Sequence, residues 1–308
     1  MPDILSLGEP LWEMNAIPSE PGKYVLGYGG DTANFCVAAA RQGSSVGYIT
    51  RVGNDAFGDA LRDIWQREGV DCSQVTVDEH ASTGGYFVHH GPGGHQFSYS
   101  RAGSAASKLA PGSIDAAAVE RAQFVHTSGI TQAISYTARA AALTLFREAR
   151  SAGVSTAFDA NYRPRLWTVD EAQVALAEIL PFTDFFFPSL EDATVLSGSD
   201  DHDEIFRWAH ALGAQVVLLK LGADGVRISQ GAGADVMQMA SYPIDAVDAT
   251  GAGDCFAGAT IARMVMGDML LDAVRYANAA AALTTTQFGA IAAIPTRDVV
   301  KAFLMSRV

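Results

Sequence analysis

The strongest constraint on this chain is an alternation. Runs of strand length that are apolar on both faces recur at 3–8, 46–53, 123–129, 155–161, 184–189 and 214–222. Between them lie helical patterns at 31–43, 55–69, 135–153 and 168–180. A strand apolar on both faces must be covered on both faces, and strands separated by helices pair in parallel, so the pattern predicts a largely parallel sheet with helices on each side.

Two stretches interrupt it. Residues 10–30 and about 80–101 carry glycine, proline and alternating aromatic and polar residues, and 84–103 predicts a hairpin turning at Gly91-Pro92-Gly93-Gly94. The two stretches can pair into a small sheet over the larger one. Beyond 250 the chain turns to helix after helix, at 251–267, 269–289 and 296–308. With 308 residues and no internal repeat, the expectation is one large α/β domain, 1–308, with an appended lid.

The composition narrows the function. Apolar residues make up 49% and charged residues 18%, a globular balance, while a net charge of −13 disfavours nucleic acid or a membrane surface as partner. Three cysteines without a CxxC pair, and an N-terminus without an apolar leader, fit a reducing compartment, with the cytoplasm as the expected location.

The chemistry concentrates in Asp248-Ala-Thr-Gly-Ala-Gly-Asp254. Gly251 and Gly253 allow close backbone approach, and a helix that follows aims free N–H groups and its positive end at an anion. The dinucleotide fingerprint fails because Phe256 stands where its third glycine belongs, and a Walker A loop fails because the only Gly-Lys pair, Gly22-Lys23, is followed by Tyr24. A capped glycine turn with Asp254 stabilised by the helix dipole explains the stretch by itself. A carboxylate beside an anion cradle also suits a general base that takes a hydroxyl proton while a phosphoryl group waits at the helix end, with the amides of Gly251, Ala252 and Gly253 around the developing charge.

The stretch resembles the C-terminal signature of the ribokinase-like (PfkB) sugar kinases, Asp-Thr-x-Gly-Ala-Gly-Asp, with Ala249 in place of the threonine. The resemblance extends over nearly the whole chain, through 27–43, 51–71, 218–226 and 277–295 in the family's order. It implies a doubly wound α/β domain with a β-sheet lid, ATP and Mg²⁺ as cofactors, and a small sugar as substrate. Asp254 is then the base. Ser189, Lys220, Gly222, Gly225, Gly253 and Asn278 are expected on the nucleotide side, Asp192 near the metal through water, and Asp248 with Thr250 at a monovalent cation such as K⁺. The family's Asn-x-x-Glu is replaced here by Ser189-Leu-Glu-Asp192.

Alternation on the hairpin puts Phe97, Tyr99 and Arg101 on one face, and Arg163 with Arg165 follows a strand at its C-terminal end, where ligands of such sheets bind. Arginine's fork suits a carboxylate or a phosphoryl group, and Arg165 is expected simply to face solvent. The stretches 99–107 and 161–167 are similar to the branch of the family that phosphorylates 2-keto-3-deoxygluconate. That likeness implies Gly30, Asp31 and Asn34 on sugar hydroxyls, Tyr86 and Tyr99 along the sugar, and Arg101 and Arg163 at its acid or phosphate end. A neutral ketose such as fructose is the nearest rival, a non-catalytic sugar-binding homologue the rival of another class, and a dinucleotide-dependent oxidoreductase lacks its fingerprint. His89, His90 and His95 match no zinc spacing, and Cys255 reads as a small buried residue. An aromatic lid with an open edge favours a homodimer through the lid.

Overall fold

The computed structural model describes every residue except 18, 92, 93 and 308, and the side chains of 90, 91, 94, 95 and 97 also lie outside the description. The predicted hairpin turn therefore falls partly outside it, as do the side chains of Phe97, His90 and His95.

The chain opens with β1 (Ile4–Leu7), β2 (Leu11–Ala16), β3 (Tyr24–Gly29), α1 (Asp31–Arg41), β4 (Val46–Gly53), α2 (Ala56–Arg67), β5 (Val70–Asp71), β6 (Val75–Asp78), β7 (Gly85–Gly91) and β8 (Gly94–Ser100). It continues through α3 (Ala116–Val119), β9 (Phe124–Ser128), α4 (Gly129–Ala133), α5 (Tyr136–Ala152), β10 (Ser155–Asp159), α6 (Val169–Ile179), β11 (Phe185–Phe186), α7 (Leu190–Ser197) and α8 (His202–Ala211). Then follow β12 (Val216–Lys220), β13 (Val226–Ser229), β14 (Met237–Met239), α9 (Ala252–Val265), α10 (Leu270–Thr284) and α11 (Arg297–Met305). Among the described residues no helix is long and apolar enough to cross a membrane.

The large sheet runs β14-β13-β12-β11-β10-β9-β1-β4-β5, with β6 extending the β4 edge. Pairing is parallel from β12 through to β4, and β13 and β14 add an antiparallel edge. The chain leaves β1 toward β4 and returns on its other side at β9, so the strand order reverses there. In such sheets ligands bind beyond the carboxyl ends of the strands at that reversal.

Side-chain alternation sorts the core into two layers. Ile4, Ala157, Phe187 and Leu218 join α1, α9 and α10 on one face, while Leu5, Leu7, Phe158, Phe186, Val217 and Leu219 join α5, α6 and α8 on the other. This is the doubly covered sheet that the apolar runs predict.

The small sheet has the order β3-β2-β7-β8 and combines the stretches 11–29 and 85–100. Each stretch is an antiparallel hairpin, and the two hairpins join through the parallel pair β2–β7. The strand β3 forms one edge, with Tyr24, Val25 and Leu26 exposed.

Two elements end differently from the sequence pattern, and two further helices are absent from it. The strand predicted to 161 stops at Asp159, because Asn161 adopts a left-handed φ of 36°. The helix predicted to 289 stops at Thr284, where the hydroxyls of Thr284, Thr285 and Thr286 bond back to the carbonyls of Ala280, Ala282 and Leu283 at 2.7 to 3.0 Å and compete with continuation of the helix. The helices α7 and α8, between β11 and β12, give no distinct sequence signal in so short a span, yet Ser189 and Asp201 cap them with side-chain oxygens.

The segment entering β7 is tied to the large domain at Asp55. Its Oδ1 accepts the Gly58 N–H and the Thr83 hydroxyl, both at 2.8 Å, and its Oδ2 accepts the Thr83 N–H at 2.7 Å. Asp55→Ala removes the α2 cap and this tie together, and should destabilise the protein by about 1–3 kcal/mol. Urea unfolding measures this, and an unchanged midpoint would refute the tie.

Candidate active site

Several loops converge at the carboxyl ends of the strands. The helix α9 starts at Gly251, whose φ of 75° is left-handed, and a Cβ there would sit 3.4 Å from Ala290 and 3.5 Å from the Asn34 amide nitrogen. The Ala252 N–H is turned back onto the Ala249 carbonyl at 3.2 Å. Of the three amides expected around an anion, Ala252 is therefore withdrawn by the turn, and those of Gly251 and Gly253 have no protein acceptor among the described residues. A Cβ on Gly253 would lie 3.3 Å from the Lys220 Nζ, so the glycine keeps a gap between an ammonium and a helix N-terminus. Both groups favour an anion there.

Asp254 stands in the first turn of α9, and its Oδ2 accepts the Asn34 amide of α1 at 2.8 Å. Asp31, at the start of α1, accepts the Asn161 amide at 3.0 Å, which brings the end of β10 into the same place. Lys220, at the end of β12, pairs with Asp159 at 2.5 Å. Burial pushes the Asp254 carboxyl up to about 7, with the charges of Asp31 and Asp159 adding to the rise and the Asn34 bond and Lys220 opposing it. Burial also pushes Asp31 up, and Asp192 up, the latter helped by Asp159 and opposed by Lys220 and Arg163. The Asp31 Oδ1 and Asn34 Oδ1 are buried without a hydrogen-bond partner. Such atoms cost about 1–3 kcal/mol each if left so, and they fit the hydroxyls of a polyol.

The other expected residues divide. Gly30 takes a φ of 104° and packs against the Glu9 backbone, where a Cβ would fall 2.3 Å from the carbonyl oxygen, so it is a close-approach glycine beside the sugar-side residues. In the small sheet Tyr86 lies opposite Tyr99, their rings 5.8 Å apart, and the Tyr86 hydroxyl donates to Glu13 at 2.5 Å. Arg101 follows β8, is partly buried, and pairs with Glu9, with its guanidinium 5.5 Å from the Tyr99 ring. Arg163 donates to the Tyr162 carbonyl at 2.9 Å within electrostatic reach of Asp31 and Asp192, and Arg165 is exposed.

Other expected residues are engaged in structural work. The Ser189 hydroxyl accepts the Asp192 N–H at 3.0 Å and caps α7, so its observed work is to aim that helix and Asp192. Gly225 has φ 93° and a Cβ there would meet the Met239 carbonyl at 2.1 Å, so a tight strand turn requires it, whereas Gly222 borders open space. Asn278 is buried and donates to the Ala240 carbonyl at 3.4 Å. Asp248 and Thr250 form an internal turn: Asp248 Oδ1 accepts the Thr250 N–H at 2.9 Å and hydroxyl at 2.6 Å, and Oδ2 accepts the Gly289 N–H at 3.0 Å. Protein donors thus hold both oxygens of the Asp248 carboxylate in the turn. Among the described residues no three His, Cys, Asp or Glu side chains form a metal cage. The residues fit an Mg²⁺ that arrives with nucleotide phosphate and keeps its waters, near Asp159 and Asp192.

Three residues escape sequence reasoning. Asp159 lies in an unremarkable apolar strand, yet it holds Lys220. Glu9 is a buried carboxylate joined to Arg101. Arg41 pairs with Glu68 at 2.7 Å and donates to the Ile291 carbonyl at 3.0 Å and to the Ile294 carbonyl, fixing the loop that sets Ala290 against Gly251. The only signal for Glu9 is its place directly after the first strand.

The chain belongs to the pfkB family of carbohydrate kinases, whose model matches residues 1–297. It is 35% identical to a 2-dehydro-3-deoxygluconokinase of Thermoproteus tenax, over 96% of this chain and 92% of that one. Among solved structures it is similar to an Escherichia coli protein assigned as a ribokinase II in complex with ATP and Mg²⁺, with TM-score 0.90, 28% identity, and 99% and 100% of the two chains covered. A Vibrio cholerae fructokinase with fructose, ADP and calcium bound gives TM-score 0.87 and 26% identity, over 98% and 99% of the chains.

The raised Asp254 sets a sign for stability. Between the ordinary carboxylate range and about 7 the folded protein binds a proton that the unfolded chain has lost, so Asp254 favours folding less as pH rises through that window and no further above it. Asp254→Asn should therefore raise the thermal midpoint at pH 8 and change it little at pH 4. A midpoint lowered at pH 8 would contradict the assignment.

Proposed function

We propose that the protein transfers the γ-phosphoryl group of ATP to the primary hydroxyl of 2-keto-3-deoxygluconate, the sugar acid also called 2-dehydro-3-deoxygluconate. The observation that carries this reading is Asp254, held by Asn34 at an α9 N-terminus whose Gly251 and Gly253 amides and nearby Lys220 are arranged for an anion.

In this reading Asp31 and Asn34 bind sugar hydroxyls, Arg101 and Arg163 take the carboxylate, and Asp254 accepts the proton of the attacking hydroxyl. That oxygen bonds to the γ-phosphorus as the bond to the β-γ bridging oxygen breaks, and ADP leaves. Asp192 and Asp159 would hold, through water, an Mg²⁺ bound with the nucleotide, which would neutralise phosphate charge. The small sheet, 10–30 and 80–101, acts as a lid of a single domain and excludes water on closing. The exposed β3 edge with Tyr24, Val25 and Leu26 supports a lid-to-lid homodimer.

The test is an ATP-coupled assay with 2-keto-3-deoxygluconate and fructose side by side. Preference for the acid is expected, and Asp254→Asn should lower turnover by about 10²- to 10⁴-fold while ATP still binds. Preference for fructose would keep the kinase and discard the acid, and near-normal turnover by the variant would remove Asp254 as base.

A further inference from the structure

Among the described residues of the small sheet, Arg101 is the cation on the sugar side, and its environment is unusual. Its side chain is 9% exposed and that of its partner Glu9 is fully buried. Glu9 follows β1, directly at the strand reversal, and its backbone carbonyl packs against Gly30, the residue before Asp31. Its carboxylate is held by two donors. Arg101 donates to Oε2 and the Ser104 hydroxyl donates to Oε1 at 3.2 Å, while a Cβ on Gly84 would come within 3.2 Å of Oε1, so the glycine leaves room for the carboxylate. Arg101 therefore bonds to a buried carboxylate that a second donor orients.

The pair is incomplete on the arginine side. The Arg101 Nε is buried and has no acceptor. Glu9 holds the guanidinium through one nitrogen, Nη2, while Ser104 donates to its other oxygen. A buried guanidinium nitrogen without an acceptor is costly, and a fork-shaped donor with one arm fixed is suited to an incoming carboxylate.

We propose that Glu9 is a specificity-determining positioning residue, which holds the Arg101 guanidinium in place at the sugar side so that a sugar acid meets a preordered donor. The inference rests on the reading that Arg101 takes the substrate carboxylate. A long arginine on a lid strand loses rotamer entropy when it binds, and anchoring it to a carboxylate fixed on the large domain removes that cost before the sugar arrives. Glu9 does carry a negative charge of its own. If charge repulsion outweighed anchoring, neutralising Glu9 would tighten binding of an acid, so the direction of the change decides between the two effects. Burial pushes the Glu9 carboxyl up and Arg101 is the main charge that opposes this, so each partner depends on the other. Mutating Glu9 leaves Arg101 in its pocket without an anchor.

The test compares 2-keto-3-deoxygluconate with 3-deoxyfructose, which carries a hydroxymethyl where the acid carries its carboxylate. Constants for both, as substrate or competitive inhibitor, are measured for the wild type, Glu9→Gln, Ser104→Ala and Arg101→Ala. Glu9→Gln should raise the KM of the acid about tenfold with a much smaller change in kcat, and move the constant of 3-deoxyfructose less than about twofold. Ser104→Ala, a milder change that keeps the charge, should raise the KM of the acid about threefold. It serves as the test if Glu9→Gln does not fold. A KM for the acid that falls or stays unchanged, or constants for both sugars that move together, would overturn the inference. Arg101→Ala separates the levels: if it leaves the preference for the acid intact, the carboxylate reading itself fails. If it abolishes the preference while Glu9→Gln and Ser104→Ala do not, only the role of Glu9 fails.

Discussion

The site depends on how closely two helices approach. Gly258 of α9 faces α1, and a Cβ there would lie 2.7 Å from the Phe35 carbonyl and 2.9 Å from the Ala38 Cβ. Ala33, Ala38 and Ala39 on α1, and Ala257, Ala259 and Ala262 on α9, are all buried, so the interface is built of residues without bulk. On its other side α1 is fixed by Phe35, stacked 3.6 Å from the His126 ring of β9. Pinned in this way, the N-termini of α1 and α9 arrive side by side, and Asn34 reaches Asp254. A larger residue at 258 would part the helices and break that hydrogen bond without touching a single group of the site.

Juxtaposing two helix N-termini has an electrostatic consequence. Each favours an anion, and each carries an aspartate in its first turn, yet burial pushes both carboxyls up, with the charge of Asp159 adding at both and that of Asp31 adding at Asp254. Arg163 opposes the rise at Asp31 and Lys220 that at Asp254. Acid and base properties of Asp254 thus follow from the packing that placed it, since the same carboxylate on an exposed helix would ionise in the ordinary range.

Much of this was legible in the sequence, and for definite reasons. Doubly apolar strands and the helices between them follow from periodicities of two and 3.6, which are local properties. The Gly-Ala-Gly-Asp stretch was legible because backbone close approach demands glycine. What stayed hidden is long-range. Asp159 and Lys220 are far apart in sequence, and neither reveals the other. The capping of α7 by Ser189 is visible only once the helix is seen, and of the donors to Asp248 the Gly289 N–H lies on a loop 41 residues away. The Ala252 amide also looked available until the turn onto Ala249 took it.

The hidden residues share a pattern. Asp159 holds Lys220, Glu9 holds Arg101, Asn34 holds Asp254, and Arg41 holds the loop behind Gly251. Each joins an element of the large sheet or its helices to a group that must meet a ligand, and each is buried or partly buried, where a hydrogen bond to a charge is worth most. The groups left unsatisfied, Asp31 Oδ1, Asn34 Oδ1 and Arg101 Nε, belong to side chains that already have one partner. One bond fixes each side chain and leaves a second polar atom without a protein partner. The chain therefore bears the ordering cost of these residues when it folds, which leaves less to be offset when a sugar binds.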